Sequence, residues 1–185
     1  VNSSLSNNYD GFELNADYRI SNKLYIASEI GLINNTEDEE YLNFTNKGTY
    51  IKSGIDYNMY TNWLDMQNMI FAGFRIGYSD FDQKINNYTI YDTNNQIWGQ
   101  SFINIPIKNE DLSSLWVELI IGVKAEIFNN LFLGFNLEVK KMINSEIKNN
   151  IQNMYVPGFN KTFEGSSFGV GFGYKLSYLI PIVKK

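Results

Sequence analysis

The stretch FELNADYRISNKLYIASEIGL, residues 12–32, decides how the chain is read. Phe12, Leu14, Ala16, Tyr18 and Ile20 alternate with Glu13, Asn15, Asp17 and Arg19. After Ser21-Asn22-Lys23 the alternation resumes: Leu24, Ile26, Ile30 and Leu32 on one side, Tyr25, Ala27, Glu29 and Gly31 on the other. Successive side chains of a strand point to opposite faces, so a period of two marks strands whose two faces meet different surroundings. Two such runs joined by a short polar turn predict an antiparallel hairpin.

The same period recurs down the chain. Ile51, Ile55, Tyr57 and Met59 oppose Lys52, Gly54, Asp56 and Asn58, and Ile70, Ala72, Phe74, Ile76 and Tyr78 oppose Gly73, Arg75 and Gly77. Leu115, Val117, Leu119, Ile121, Val123, Ala125 and Ile127 oppose Glu118, Gly122, Lys124 and Glu126. Leu131, Leu133, Phe135, Leu137 and Val139 oppose Gly134, Asn136, Glu138 and Lys140. Phe168, Val170, Phe172, Tyr174, Leu176 and Tyr178 oppose Gly169, Gly171, Gly173, Lys175 and Ser177. These are seven strands of about ten residues, the length a tilted membrane strand needs. No charge falls on the apolar face of any of them; Ser28 and Ser53 are its main blemishes. The other face carries Glu13, Asp17, Glu29, Asp56, Glu118, Glu126 and Glu138 against Arg19, Lys52, Arg75, Lys124, Lys140 and Lys175.

The connections alternate in length. Residues 21–23, 61–67 and 128–130 read as short turns, and 34–48, 80–112 and 144–165 as long loops. Short turns on one side and long loops on the other fit an outer-membrane barrel. The chain is therefore expected to be all-β: one domain, 1–185, a transmembrane antiparallel up-and-down β-barrel with a long extracellular loop at 80–112. A soluble β-sandwich also alternates, but two features favour the barrel. Nine of the fourteen glycines (31, 54, 73, 77, 122, 134, 169, 171 and 173) sit on the polar face. A solvated face has no need of them, whereas a narrow lumen needs small residues beside long ones. Aromatics also cluster near strand ends, at Tyr57, Tyr60, Trp63, Tyr78, Phe81, Phe128 and Tyr178, as interfacial girdles do.

Single-chain bacterial barrels have an even number of strands, so eight are expected, with the first before Val1 and residues 1–9 as an outer loop. An open seven-stranded sheet in lipid would leave backbone groups unpaired at several kcal/mol each.

Composition narrows the function classes. Hydrophobic residues make up 44% and aromatics 16% of 185 residues, too many for a disordered chain. The mean hydropathy of -0.27 is compatible with a barrel, where only alternate strand residues meet lipid. No apolar run is long enough for a transmembrane helix. The absence of cysteine excludes disulfides and thiolate metal sites, and a net charge of -5 argues against nucleic acid. The opening VNSSLSNN is not a signal peptide.

DGFELNADYRISNKLYIASEIG (10–31), YLNFTNKGTYIKSGIDYNMYTNW (41–63) and NMYVPGFNKTFEGSSFGVGFGYKLSYLIPI (153–182) together resemble an uncharacterised Bacteroidota family of outer-membrane barrels, a domain of unknown function. The resemblance covers nearly the whole chain and implies a further upstream strand. It implies no catalytic residue.

No catalytic, cofactor-binding or metal-binding residue is assigned, and the chain is read as non-enzymatic. Enzymes of the outer membrane that act on lipid or peptide commonly use His as base, and this chain has none. Glu118 and Glu126 share a face but lie about 26 Å apart along one strand, too far for a dyad. The charges of the polar face are read as a self-satisfied plug of salt bridges, because eight strands leave room only for side chains. Glu37-Asp38-Glu39-Glu40 lacks calcium-loop spacing and reads as a solvated acidic loop. The Asn-x-Thr sequons at 34, 43, 87 and 160 read as chance. Within 80–112, two strand-like pieces (88–91 and 96–105) suggest either a hairpin extending the barrel or a docking ledge using Tyr88, Tyr91, Trp98 and Phe102. The expected role is a structural or accessory subunit, in contact with outer-membrane lipid and a larger outer-membrane complex, with a small enzyme or narrow channel as the alternative.

Overall fold

The computed structural model describes residues 9–61, 68–90 and 101–181. Every strand read from the alternation is present. They are β1 (Tyr9–Arg19), β2 (Leu24–Glu39), β3 (Leu42–Thr61), β4 (Met69–Ile90), β6 (Ile107–Phe128), β7 (Leu131–Ser145) and β10 (Phe168–Tyr178). Three short pieces accompany them: β5 (Ser101–Ile103), inside the strand-like stretch read at 96–105, and β8 (Tyr155–Val156) and β9 (Asn160–Lys161), which were not foreseen. The long strands form one antiparallel sheet in the order β1-β2-β3-β4-β6-β7-β10, with β5 beside the end of β4. No helix occurs among the described residues.

Register matches like with like across the sheet. Leu14 faces Ile30, Ile26 faces Ile55 and Phe74 faces Leu119 on one side. Glu29 faces Lys52 and Glu118 faces both Arg75 and Lys140 on the other. A one-residue slip would move every charge to the opposite face, so this pattern pins the pairing. The sheet curls strongly into a half-barrel with the ionic face inside. Glu118 is 1% exposed and Asn136 3%, whereas Leu119 is 62% exposed and Phe172 49%. This is the reverse of a soluble sandwich, which would bury Leu119 and hydrate Glu118.

The glycines make this possible. A Cβ on Gly77 would lie 2.2 Å from the Trp116 ring, and one on Gly31 would lie 2.3 Å from the Tyr50 ring. On Gly122 it would meet Phe71 at 2.4 Å. Each missing side chain is the slot for a large one on a nearby strand. Gly134 differs: its nearest neighbours would lie at 3.6 Å, an ordinary contact.

Several expectations need correction. The 34–48 loop is mostly strand, because β2 and β3 continue in register until the turn at Glu40 and Tyr41. Likewise β4 and β6 extend far into 80–112, and Tyr88–Ile90 pairs with Ser101–Ile103, so this segment is largely a hairpin extension of the sheet. Phe81 is 2% exposed and belongs to the interior, not to a girdle. Tyr57, Tyr60, Tyr78, Phe128 and Tyr178 are exposed as a girdle requires. Residues 1–8, the 62–67 part of the short turn with Trp63, and the tail beyond Pro181 lie outside the described residues. Finally, no pairing joins β1 to β10 among the described residues, so these seven strands do not close on themselves.

Gly77→Val drives branched carbon into Trp116 and should cost about 1–3 kcal/mol by overpacking. Gly134→Ala should be close to neutral. Chemical denaturation followed by tryptophan fluorescence checks both, and equal midpoints for the two variants would refute the slot assignment.

Candidate functional site

The concave face has two storeys. The first is ionic. Lys52 Nζ lies 2.9 Å from Glu29 Oε1, 3.7 Å from Glu118 Oε1 and 3.9 Å from Glu138 Oε2. Lys140 Nζ lies 2.9 Å from Glu138 Oε2, and Lys175 reaches from β10 to Glu29 Oε2 on β2. Three carboxylates thus share three ammoniums. Neutral donors complete the set: Tyr50 Oη donates to Glu29 at 2.9 Å, Trp116 Nε1 to Glu118 at 3.3 Å, and Asn136 Nδ2 to Glu138. Two pairs stand apart. Arg75 Nη2 binds Asp56 at 2.7 Å while Nη1 donates to the Ile55 carbonyl, and Lys124 binds Asp17 at 2.6 Å.

Each of these charges lies near an opposite one, although Asp56 Oδ1 and Glu118 Oε1 are buried without a hydrogen-bond partner. Glu118 is engaged with Lys52 and Trp116, and Glu126 accepts from the Asn130 backbone N–H near the short turn, so the two do not meet. Removing one member of such a cluster strands an opposite charge away from water, which costs about 3–5 kcal/mol.

The second storey is apolar and was not foreseen. Ile33, Phe44, Tyr50, Phe81, Ile85, Leu112 and Trp116 form a buried cluster with Tyr155, Val156 and Phe159. The last three belong to the 144–165 connection, expected as an outer loop. Instead it folds back into the mouth of the half-barrel. There β8 and β9 pair, Tyr155 with Lys161 and Val156 with Asn160, around a turn at Pro157-Gly158-Phe159. Gly158 has φ 80°, and a Cβ there would strike the Tyr50 ring at 2.6 Å. The turn therefore needs glycine for its backbone and for its fit. Phe159 packs edge-on against Trp116, with ring centroids 6.0 Å apart.

Amides from the strands hold the hairpin's backbone. Gln83 Nε2 donates to the Gln152 carbonyl at 3.1 Å, and Gln83 Oε1 accepts from Met154 N at 2.8 Å. Asn46 Nδ2 donates to the Tyr155 carbonyl, and Lys140 Nζ to the Gly158 carbonyl at 2.8 Å. The last bond ties the two storeys together. At the rim Lys161 pairs with Glu39 and Glu37. The hydrogen bond to Glu39, followed by the charges of both acids, raises the Lys161 pKa above its ordinary value. Burial raises that of Tyr155.

The other candidates fare as follows. Glu37 and Glu39 serve the hairpin, and no acid cluster suited to a metal occurs among the described residues. Of the proposed ledge, Tyr88 is half-buried against the core. Tyr91, Trp98 and the Phe102 side chain lie outside the described residues. One sequence signal for the cap existed: Trp116 shares the parity of Glu118, which places a large apolar ring on the charged face, and Val156-Pro157-Gly158-Phe159 supplies an apolar turn to meet it.

Fold and site together define an antiparallel all-β half-barrel with an ionic interior and an inward-folded hairpin cap. The chain belongs to the DUF6048 family, a domain of unknown function, whose family model matches residues 1–185. No curated protein and no solved structure matches it.

Lys52→Met should lower stability by about 3–5 kcal/mol, since Glu29 and Glu118 would keep buried charge with a main partner gone. Lys161→Ala removes only a rim contact and should cost less than about 1 kcal/mol. Denaturant midpoints of the two variants rank the buried cluster against the rim.

Proposed function

We propose that the seven long strands of this chain belong to a closed eight-stranded barrel in a bacterial outer membrane, which acts there as a non-enzymatic structural or accessory component. The observation that carries this reading is an inversion of polarity along the strands. Over one stretch of every long strand the convex side is apolar and the concave side ionic. On β1 to β4 that stretch ends at a common level, where Asp10, Asn34, Lys47 and Asp82 are successive cross-strand neighbours on the convex face, while on β7 it ends earlier, at the exposed Lys141 facing Val117. Beyond it the convex side carries Thr45, Lys84 and Lys108, while the interior turns to Phe44, Phe81, Ile85 and Leu112. A protein keeps like with like, so a switch on both faces at one level supports a change of surrounding medium there. From Leu24 to Leu32 the band runs about 26 Å along the strand. From Leu115 to Ile127 it runs about 40 Å. Tilted by about 40°, these lengths are comparable to the ~25 Å apolar band of outer-membrane barrels.

Closure follows from strand direction. Both β1 and β10 run from the long-loop end to the short-turn end, so direct pairing between them would be parallel. One intervening strand running the other way pairs antiparallel with both and restores an even count. Without it, two edges would leave unpaired backbone in hydrocarbon. The likeness to Bacteroidota barrels, carried by residues 10–31, 41–63 and 153–182, supports the same placement.

An accessory role fits a lumen whose ions are engaged and whose mouth is capped by its own hairpin. The strand extensions around β5, within 80–112, and the lipid-facing band are the surfaces offered to a larger outer-membrane complex.

Purified chain should fractionate with outer membranes and migrate differently on gels before and after boiling. Identical migration together with recovery in the soluble fraction would refute the barrel. In planar bilayers it should give no steady single-channel steps; regular steps would favour a narrow channel instead. Lipid or peptide turnover in detergent would favour an enzyme.

A further inference from the structure

We infer that a groove on the convex face of β1, β2 and β3 binds a phospholipid with a zwitterionic headgroup, a phosphate ester joined to a primary ammonium. This deepens the outer-membrane reading and rests on it. The groove has a volume of about 360 Å³, within the ~300–1,000 Å³ of small-molecule sites. Its floor is the backbone of Gly11, Ile33 and Gly48, one cross-strand row. The Ile33 side chain turns into the core, so the floor is bare on the outside. One wall is formed by Phe12 and Leu32, 65% and 56% exposed, and continues to Thr49. The other is formed by Asp10, Asn34 and Lys47, direct neighbours across the three strands. Phe12 and Leu32 are the last apolar residues of the convex band on β1 and β2. On the outer-membrane reading, the groove therefore lies where hydrocarbon gives way to headgroups.

The polar groups around the groove select the headgroup. The side chains of Asp10, Asn34, Lys47 and Thr49 make no hydrogen bond or ion pair among the described residues. Lys47 has an acid directly across the strand pair, Asp82 on β4, yet the two do not pair; Asp82 accepts the Asp111 backbone N–H at 2.9 Å instead. A phosphate ester over β3 accepts hydrogen bonds from Lys47 Nζ, Asn34 Nδ2 and Thr49 Oγ1, of which the bond from Lys47 is charge-assisted on both sides. Asp10 and Lys47 stand two strand spacings apart, about 10 Å at the backbone, with Asn34 between them. A headgroup lying along that row meets a cation at one end and an anion at the other, so its ammonium donates to Asp10. The charged lining is one acid and one base. A net anionic headgroup would set like charge against Asp10, and a purely cationic one against Lys47. The acyl chains continue over Phe12 and Leu32 onto the apolar band.

The test gives the full chain, purified in maltoside micelles, equal amounts of phosphatidylethanolamine and phosphatidylglycerol with the same acyl chains. Native mass spectrometry then counts the lipid retained. Phosphatidylethanolamine should be retained about fivefold over phosphatidylglycerol, the effect of one charge contact near a membrane surface. Asp10→Lys should reverse that preference, and Lys47→Ala should lower retention of both lipids about fivefold. Both positions are exposed, so heat-modifiable migration should survive each change. Equal retention of the two lipids by the unaltered chain, or a preference that Asp10→Lys leaves untouched, would overturn the inference while leaving the barrel standing. An unaltered chain that is not heat-modifiable and stays in solution without detergent would overturn the barrel, and the lipid site with it.

Discussion

Ammonium and carboxylate groups taken out of water must find one another, and this requirement organises the molecule. Lys52 lies at the centre, within reach of Glu29, Glu118 and Glu138, which come from three different strands. Those contacts exist only if the sheet curls, because on a flat sheet β2, β3, β6 and β7 would hold their charges strands apart. The curl in turn needs the glycines: Gly31 and Gly77 leave room for Tyr50 and Trp116, which carry hydrogen bonds into the same cluster. Charge pairing, curvature and glycine placement are one constraint expressed three ways.

The hairpin at 155–161 follows from the same constraint one storey up. Above the ions the interior becomes apolar, and a half-barrel mouth lined by Phe44, Phe81, Leu112 and Trp116 would be costly to leave wet. The chain covers it with its own Tyr155, Val156 and Phe159. Covering it brings backbone groups into the interior, and Asn46, Gln83 and Lys140 supply partners for them. A cap fixed through side-chain amides at several heights is a built part of the interior. It fills the mouth of the half-barrel and supports the accessory role proposed above.

Strand alternation was legible because it depends only on neighbours two residues apart. Residues such as Leu119 and Glu118 declare opposite faces without any tertiary information, and all seven strands appear where that period places them. The ends of the elements were less legible. Residues 34–48 are mostly polar, with only Leu42 and Phe44 apolar on the inner face, so the period fades although β2 and β3 continue to the turn at Glu40 and Tyr41. Phe81 was misread for a related reason. An aromatic near a strand end suits a girdle or a core equally well, and parity alone shows that it lies on the Trp116 side.

The sequence by itself determined which face of each strand is ionic and which is apolar, and that the acids and bases of the inner face nearly balance. Those properties are local, encoded in spacing and side-chain type. Only the tertiary structure decided which charges meet, since the reach from Lys175 on β10 to Glu29 on β2 depends on curvature that no local pattern records. It alone also turned the 144–165 connection inward. Whether a polar loop is hydrated or folded into a cavity depends on the shape and lining of that cavity, and these exist only once distant strands have come together.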